Sequence, residues 1–243
     1  MATNPRHPRR FAPLDPNAEY SDAPVLRGII FDVDALHIPR TTDILDHIYS
    51  LPSSDQPAAM ESIREVERAA MVKQTPQRGL ADLMDYLEMR GVRKGICTRN
   101  FDTPVNHFLE KFLKGKVFGP IITREFRPPK PDPAGILHIA ESWNLYDRGE
   151  SLIMVSRAII ALPKVGDSVD DMTAGHRAGA ATVLLVNGVN AHLTTHQHTN
   201  LCISSLDELI AILERGFTGQ IDQGDEHPDT KAQAQAALAN GSL

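Results

Sequence analysis

Polar side chains with the chemistry of a reaction site stand at the ends of apolar runs in this sequence. Asp32 and Asp34 close "GIIFDVD", Thr98 closes "GICT", Lys130 sits among prolines in "FRPPKPDP", and Asp167, Asp170 and Asp171 follow in "VGDSVDDM". Singly, each has a structural explanation: an aspartate after a strand caps a helix or turn, and a lysine between prolines is solvated. Together they supply what phosphoryl transfer needs, namely a nucleophile, a divalent cation, a proton donor for the departing alkoxide and positive charge for the phosphate oxygens. A carboxylate can form an acyl phosphate, which suits Asp32 as nucleophile. Magnesium takes oxygen ligands and keeps several waters, so Asp32, Asp167 and the Asp34 carbonyl suit it. The Asp34 side chain, two residues beyond Asp32, faces the same side of a strand and can protonate the leaving oxygen. Thr98 and Lys130 remain for the phosphoryl oxygens. Arg99, Asn100, Arg124 and Arg127 also follow strand ends, where they either reach phosphate or substrate or form surface ion pairs.

Such residues meet only if the strands that carry them are parallel neighbours. Short apolar runs alternate with helical patterns: "LRGIIFDV", then "GLADLMDYLEMRG" with Leu80, Leu83, Met84 and Leu87 on one face, "RKGICT", "DTPVNHFLEKFL" with an apolar stripe from Val105 to Phe112, "KVFGPIIT", "AGILHIAESWNL", "SLIMV", a helix from "GDSVDDM", "ATVLLV", and "SLDELIAILERG" opened by a Ser205/Glu208 capping box. This alternation predicts an α/β fold, a Rossmann-like parallel sheet with helices on both faces, with functional residues at the carboxyl ends of its strands. Residues 41–75 break the pattern. They carry two helical segments and no strand, one through Ile44, Leu45 and Ile48 and one through Met60, Ile63 and Val66, which predicts a small helical cap inserted after the first strand. The core is then 23–40 and 76–218, with a disordered arm over 1–22 and a disordered tail over 219–243.

In that order the residues resemble the haloacid dehalogenase (HAD) superfamily, whose first motif is a strand ending Asp-x-Asp, the second a strand ending in Ser or Thr, the third a Lys, and the fourth Gly-Asp with an Asp four residues on. Here these are Asp32 and Asp34, Thr98, Lys130, and Asp167 with Asp171. "ICTRN", "TREFRPPKPDP" and "GDSVDDM" resemble a fungal phosphatase-like branch with a small cap. The resemblance implies a magnesium-dependent phosphate monoester hydrolase working through an aspartyl-phosphate at Asp32. It implies Asp32, Asp34, Thr98 and Lys130 as catalytic, Thr98, Arg99, Asn100 and Lys130 as substrate-binding, Asp32, Asp34, Asp167 and Asp171 around the metal, and a small phosphorylated metabolite as partner.

Two junctions depart from the family pattern. Ala35 and Leu36 stand where Gly-Thr is expected, and only "ALHIPR" separates Asp34 from Thr41; six residues reach about 20 Å and cannot hold both a turn and a hairpin flap. Before the fourth motif, "SRAIIALPKV" (156–165) intervenes between "SLIMV" and Gly166. Pro163 makes this insert a poor central strand, so it either loops out or replaces the regular strand in register. A shortened junction and a lengthened one in the same chain suggest altered splicing or a mis-joined gene model, a hypothesis that fails if abundant transcript reads as written. Both junctions predict weakened activity. The alternative on the same fold is a non-catalytic variant that binds metal or phosphate, and one of another class is a receiver-type signalling domain, against which the cluster after Lys130 argues.

Composition narrows the rest. The chain has 243 residues, 42% of them hydrophobic, and a net charge of −6, enough apolar material for a sizeable core and nothing to favour nucleic acid or an anionic membrane. No apolar run approaches the roughly 20 residues that span a bilayer. Two cysteines inside apolar runs, Cys97 and Cys202, fit a reducing compartment, so the expectation is cytoplasmic, with a nuclear share left open. Prolines among residues 5–16 oppose an amphipathic mitochondrial presequence. His192, His196 and His198 lack a neighbouring Cys or acid and read as a solvated loop rather than zinc ligands. Trp143 reads as core or interface.

Overall fold

A computed structural model of the chain describes residues 9–33, 48–72, 74–147, 149–156, 160–161 and 169–219. In chain order the elements are β1 (Arg10–Phe11), β2 (Gly28–Phe31), α1 (Gln56–Val72), β3 (Thr75–Pro76), α2 (Leu80–Met89), β4 (Arg93–Cys97), α3 (Asp102–Phe112), β5 (Ile121–Ile122), α4 (Ala134–Ser142), β6 (Leu152–Ser156), β7 (Ile160–Ala161), α5 (Val169–Ala178), β8 (Ala181–Leu185), a 3-10 turn (Ala191–Thr195), β9 (Leu201–Ile203), α6 (Glu208–Arg215) and β10 (Phe217–Thr218). Six strands form one parallel sheet in the order β5-β4-β2-β6-β8-β9. The α/β class expected from the alternation is therefore found.

Strand period puts Ile29, Phe31, Ile153 and Val155 on one face, packed with Leu83, Met84 and Leu87 of α2, Val105 and Phe108 of α3 and Leu209 and Leu213 of α6. Ile30, Leu152 and Met154 face the other way, against Ile136 and Ile139 of α4 and Ala174 and Ala178 of α5. Trp143 belongs to this second layer: it is buried, and its indole N–H donates to the Gly119 carbonyl at 2.7 Å. The sheet makes room for the ring with glycine. A Cβ on Gly28 would lie 2.2 Å from the Trp143 ring, and one on Gly95, the neighbour in register of Ile30, would lie 3.2 Å from it.

Because β4 and β5 extend the sheet on one side of β2 and β6, β8 and β9 on the other, the direction of winding reverses at β2. Such a reversal leaves room for a crevice beyond the carboxyl end of that strand, where Asp32 follows.

Two expectations are corrected. The arm expected to be disordered over 1–22 is docked from Arg9 onward: β1 pairs antiparallel with β10, Phe11 is buried against Phe217, and the Leu14 N–H donates to the Leu213 carbonyl at 2.9 Å. One buried aromatic and a two-residue ladder are enough to hold a segment that shows no periodicity. In the cap, the second helix is α1 and Ile63 is buried with Ile48 and Phe101, but Val66 is half exposed and lies off that face. The expected first cap helix over its residues 41–47, with Ile44 and Leu45, and the expected tail from residue 220 lie outside the described residues.

The insert over 156–165 does not displace the central strand. β6 keeps its place between β2 and β8, and Ile160–Ala161 leaves the sheet to pair antiparallel with Thr75–Pro76, just after the cap. The capping box is also shifted by one residue. The Glu208 carboxylate accepts from the Ser204 N–H at 3.2 Å and from the Ser204 hydroxyl, with Ser205 at 3.4 Å.

Candidate active site

Asp32 extends β2 by one residue, its N–H donating to the Val155 carbonyl at 3.0 Å. By strand alternation its side chain falls on the Ile30 face, flanked in register by Cys97 of β4 and Ser156 of β6. Lys130 comes up from the loop before α4, and its ammonium lies 2.7 Å from Asp32 Oδ1, 2.6 Å from Asp171 Oδ1 on α5, and 2.8 Å from the Cys97 carbonyl. All three ionisable side chains are buried. Burial alone pulls the Lys130 ammonium down, but Asp171 and Asp32 outweigh it and leave its pKa well above the ordinary lysine range. One cation thus ties together carboxylates delivered by β2 and α5, which are 139 positions apart in numbering terms from Asp32 to Asp171.

Thr98, at the end of β4, donates its hydroxyl to the Val33 carbonyl and accepts the Asn100 N–H at 3.1 Å. The Asn100 side-chain amide donates to the same Val33 carbonyl. Both side chains therefore fix the backbone immediately after Asp32. Arg99 pairs with Asp170 of α5 at 2.7 Å, and its carbonyl accepts from the Arg124 side chain. Burial raises the Cys97 thiol to about 11, with Lys130 opposing, so this cysteine beneath the site stays a thiol rather than a nucleophilic thiolate.

The cap leans on the segment that follows Asn100. Phe101 packs with Ile48 and Ile63, and its ring carries Arg64 of α1 at 5.5 Å and Arg124 of the core at 5.2 Å. Arg127 covers the Tyr49 ring at 5.5 Å. Between cap and core lies a cleft of about 210 Å³ lined by Arg64, Arg68 and Met71 on one side and Phe101, Asp102 and Glu125 among others on the other. Phe101 and these cap arginines escaped the sequence reading; an aromatic directly after a strand-end Thr-Arg-Asn was the available signal.

Asp34 and Asp167 lie outside the described residues, so the convergence seen is that of Asp32, Thr98, Lys130 and Asp171. Among the described residues, no three His, Cys, Asp or Glu side chains form a metal cage. Beside the Cys97 thiol, which burial keeps protonated, the donors at the end of β2 are hard oxygens: the Asp32 and Asp171 carboxylates and the Ser156 hydroxyl, which is fully buried with no hydrogen-bond partner among the described residues. That chemistry fits magnesium rather than a softer ion.

The sequence pattern of the haloacid dehalogenase-like hydrolases matches residues 32–185, from the strand-end aspartate through β8. An uncharacterized hydrolase of Saccharomyces cerevisiae is 42% identical over 209 residues, covering 78% of this chain and 90% of its own. This chain belongs to the haloacid dehalogenase-like hydrolases. A haloacid dehalogenase-like hydrolase domain-containing protein of Arabidopsis thaliana is 32% identical over 223 residues, 79% of this hydrolase and 85% of its own length. CbbY from Rhodobacter sphaeroides, solved in complex with phosphate, shares the fold at a TM-score of 0.54 and 15% identity, over 76% of this hydrolase and 96% of its own chain. The receiver-type alternative falls with the family assignment. Among the described residues, no helix of this hydrolase is long and apolar enough to cross a membrane.

Proposed function

We propose that this hydrolase cleaves phosphate monoesters of small metabolites, with magnesium, through a phosphorylated Asp32. The observation that carries the reading is the buried Lys130 ammonium shared between Asp32 and Asp171 at the carboxyl end of the central strand. An Asp32 carboxylate oxygen attacks phosphorus, the P–O bond to the leaving group breaks, and Asp34 supplies the proton that the departing alkoxide takes. In the second half Asp34 takes a proton from water, whose oxygen attacks the phosphorus of the acyl phosphate; the bond from phosphorus to Asp32 breaks, which releases inorganic phosphate and restores the Asp32 carboxylate. Lys130 offsets negative charge on the phosphoryl oxygens, and Thr98 and Asn100, with Arg99 beside them, form the phosphate-facing wall while holding the Val33 carbonyl. Asp32, Asp34, Asp167 and Asp171 are the residues proposed around magnesium. When bound, the ion supplies positive charge to the transferring group.

A second reading, a chain that binds phosphate or metal without turnover, is favoured by one observation. Thr98 and Asn100 both spend side-chain donors on the Val33 carbonyl, leaving fewer for a phosphate. Hydrolysis of p-nitrophenyl phosphate separates the two. Under the first reading the protein releases nitrophenolate only with magnesium, more slowly than its S. cerevisiae relative because of the shortened junction after Asp34, and D32N abolishes release, a loss of about a thousandfold or more. Phosphate-dependent stabilisation without any turnover would establish the second.

A further inference from the structure

Ser156 ends β6, the strand beside β2. The pairing of Phe31 with Val155, and the Asp32 N–H on the Val155 carbonyl, carry the register one step further and set Ser156 beside Asp32. Neighbouring strands are about 4.8 Å apart, and residues in register on parallel strands point to the same face. That face is settled by packing: Ile30 and Asp32 alternate with Phe31 on β2 just as Met154 and Ser156 alternate with Val155 on β6, and Ile30 and Met154 share one core layer. On its other side Ser156 pairs with Leu184 of β8, which packs with Met172 of α5, the residue after Asp171. Ser156 therefore lies on the floor of the crevice, between the strand that carries Asp32 and the first turn of the helix that carries Asp171.

Its surroundings make a purely structural serine expensive. Ser156 is 0% exposed, and its hydroxyl has no hydrogen-bond partner among the described residues. A buried hydroxyl left unpaired costs more than the alanine that would fill the same space, and such orphans in native proteins usually face a water or an ion. Ser151, just before β6, has a buried orphan hydroxyl too, but it lies at the end of the strand that pairs with Gly28, away from Asp32.

We infer that the Ser156 hydroxyl is an oxygen ligand, direct or through one water, for the divalent cation held beside Asp32. This goes beyond the proposed function, on which it rests, by adding to the acidic ligands a neutral one supplied by β6. A hydroxyl adds a donor to a site that already holds two carboxylates against one ammonium, without adding further negative charge to a buried cluster.

The test is binding of Mg2+ alone, followed by calorimetry and by the rise in melting temperature of the full chain, for wild type, S156A and D32N. The expected result is Mg2+ binding by wild type, weakened about tenfold in S156A and lost in D32N, while the metal-free melting temperature of S156A equals or exceeds that of wild type. Equal Mg2+ affinity in wild type and S156A overturns the assignment of Ser156 and leaves the magnesium reading standing. A melting temperature of metal-free S156A below wild type overturns it as well, because the hydroxyl would then have a structural partner. If wild type itself binds no Mg2+, the reading on which the inference rests fails, and the inference fails with it.

Discussion

Replacing Lys130 with methionine isolates the electrostatics at the end of β2. Methionine keeps most of the side-chain volume, so packing changes little, while the cation between Asp32 and Asp171 and the donor to the Cys97 carbonyl disappear. Lys130, Asp32 and Asp171 are 6%, 5% and 6% exposed, so water cannot screen the two carboxylates left behind. Breaking a buried ion pair by removing one partner costs about 3–5 kcal/mol. For a chain of this size each kcal/mol moves the melting temperature by about 2–4 °C, so K130M is expected to melt about 6–20 °C lower at pH 8. The pH dependence gives the sharper signature. Without the ammonium, two close buried carboxylates cannot both stay charged, and the folded variant binds a proton more tightly than the unfolded chain does. A pKa raised by folding contributes stability that is present at low pH and lost as pH rises through it. The deficit of K130M relative to wild type must therefore shrink from pH 8 to pH 5. Thermal melts of both proteins at the two pH values read this directly. Overlapping melts at pH 8, or a deficit that does not shrink at pH 5, would refute the reasoning.

Two further outcomes follow from packing and from a histidine. G28A drives a methyl into the Trp143 ring and is expected to cost about 1–3 kcal/mol, with a red shift in the emission of the chain's single tryptophan as the slot loosens. His196 has its pKa lowered by burial and by His192, and its Nδ1 accepts the His198 N–H at 3.2 Å, which the protonated ring cannot do. The unfolded chain then takes up the proton first as pH falls below about 6.5, so stability falls on acidification. H196N, which keeps an acceptor near that position, is expected to lose less melting temperature between pH 7 and pH 5 than wild type.

The central part of the site was legible because its residues terminate apolar runs. Asp32, Thr98 and Lys130 interrupt hydrophobic or proline-bound stretches, and a parallel sheet has one edge where such interruptions can meet. Asp171 was legible by its spacing from Asp167 in the family pattern, and the structure adds its bond to Lys130. Ser156 was not, because a serine closing a buried strand has nothing unusual in its neighbours; only its register beside Asp32 and its unpaired hydroxyl single it out. The pairing of β3 with β7 was equally hidden, since two-residue strands far apart in sequence carry no period, and Pro76 argues locally against a strand. What the sequence reading did recognise at that insert was the misfit of Pro163 with a central strand. Pro163 itself lies outside the described residues; of the insert, Ser156 ends β6 and Ile160–Ala161 pairs with Thr75–Pro76 outside the main sheet.

The antiparallel clasp between β1 and β10 has a bearing on how the protein is made. Strand pairing there joins residues roughly two hundred positions apart, among the last contacts to become available as a chain is synthesised from its amino end. Phe11 leaves the ribosome early and waits for Phe217. Until then the ladder and the ring contact that hold Phe11 are missing, so a stall or truncation before residue 217 leaves the amino-terminal segment with only its other bonds, such as that of Ala12 to Pro24, even when the whole parallel sheet has formed. The clasp acts as a completion mark that only a full-length domain can close.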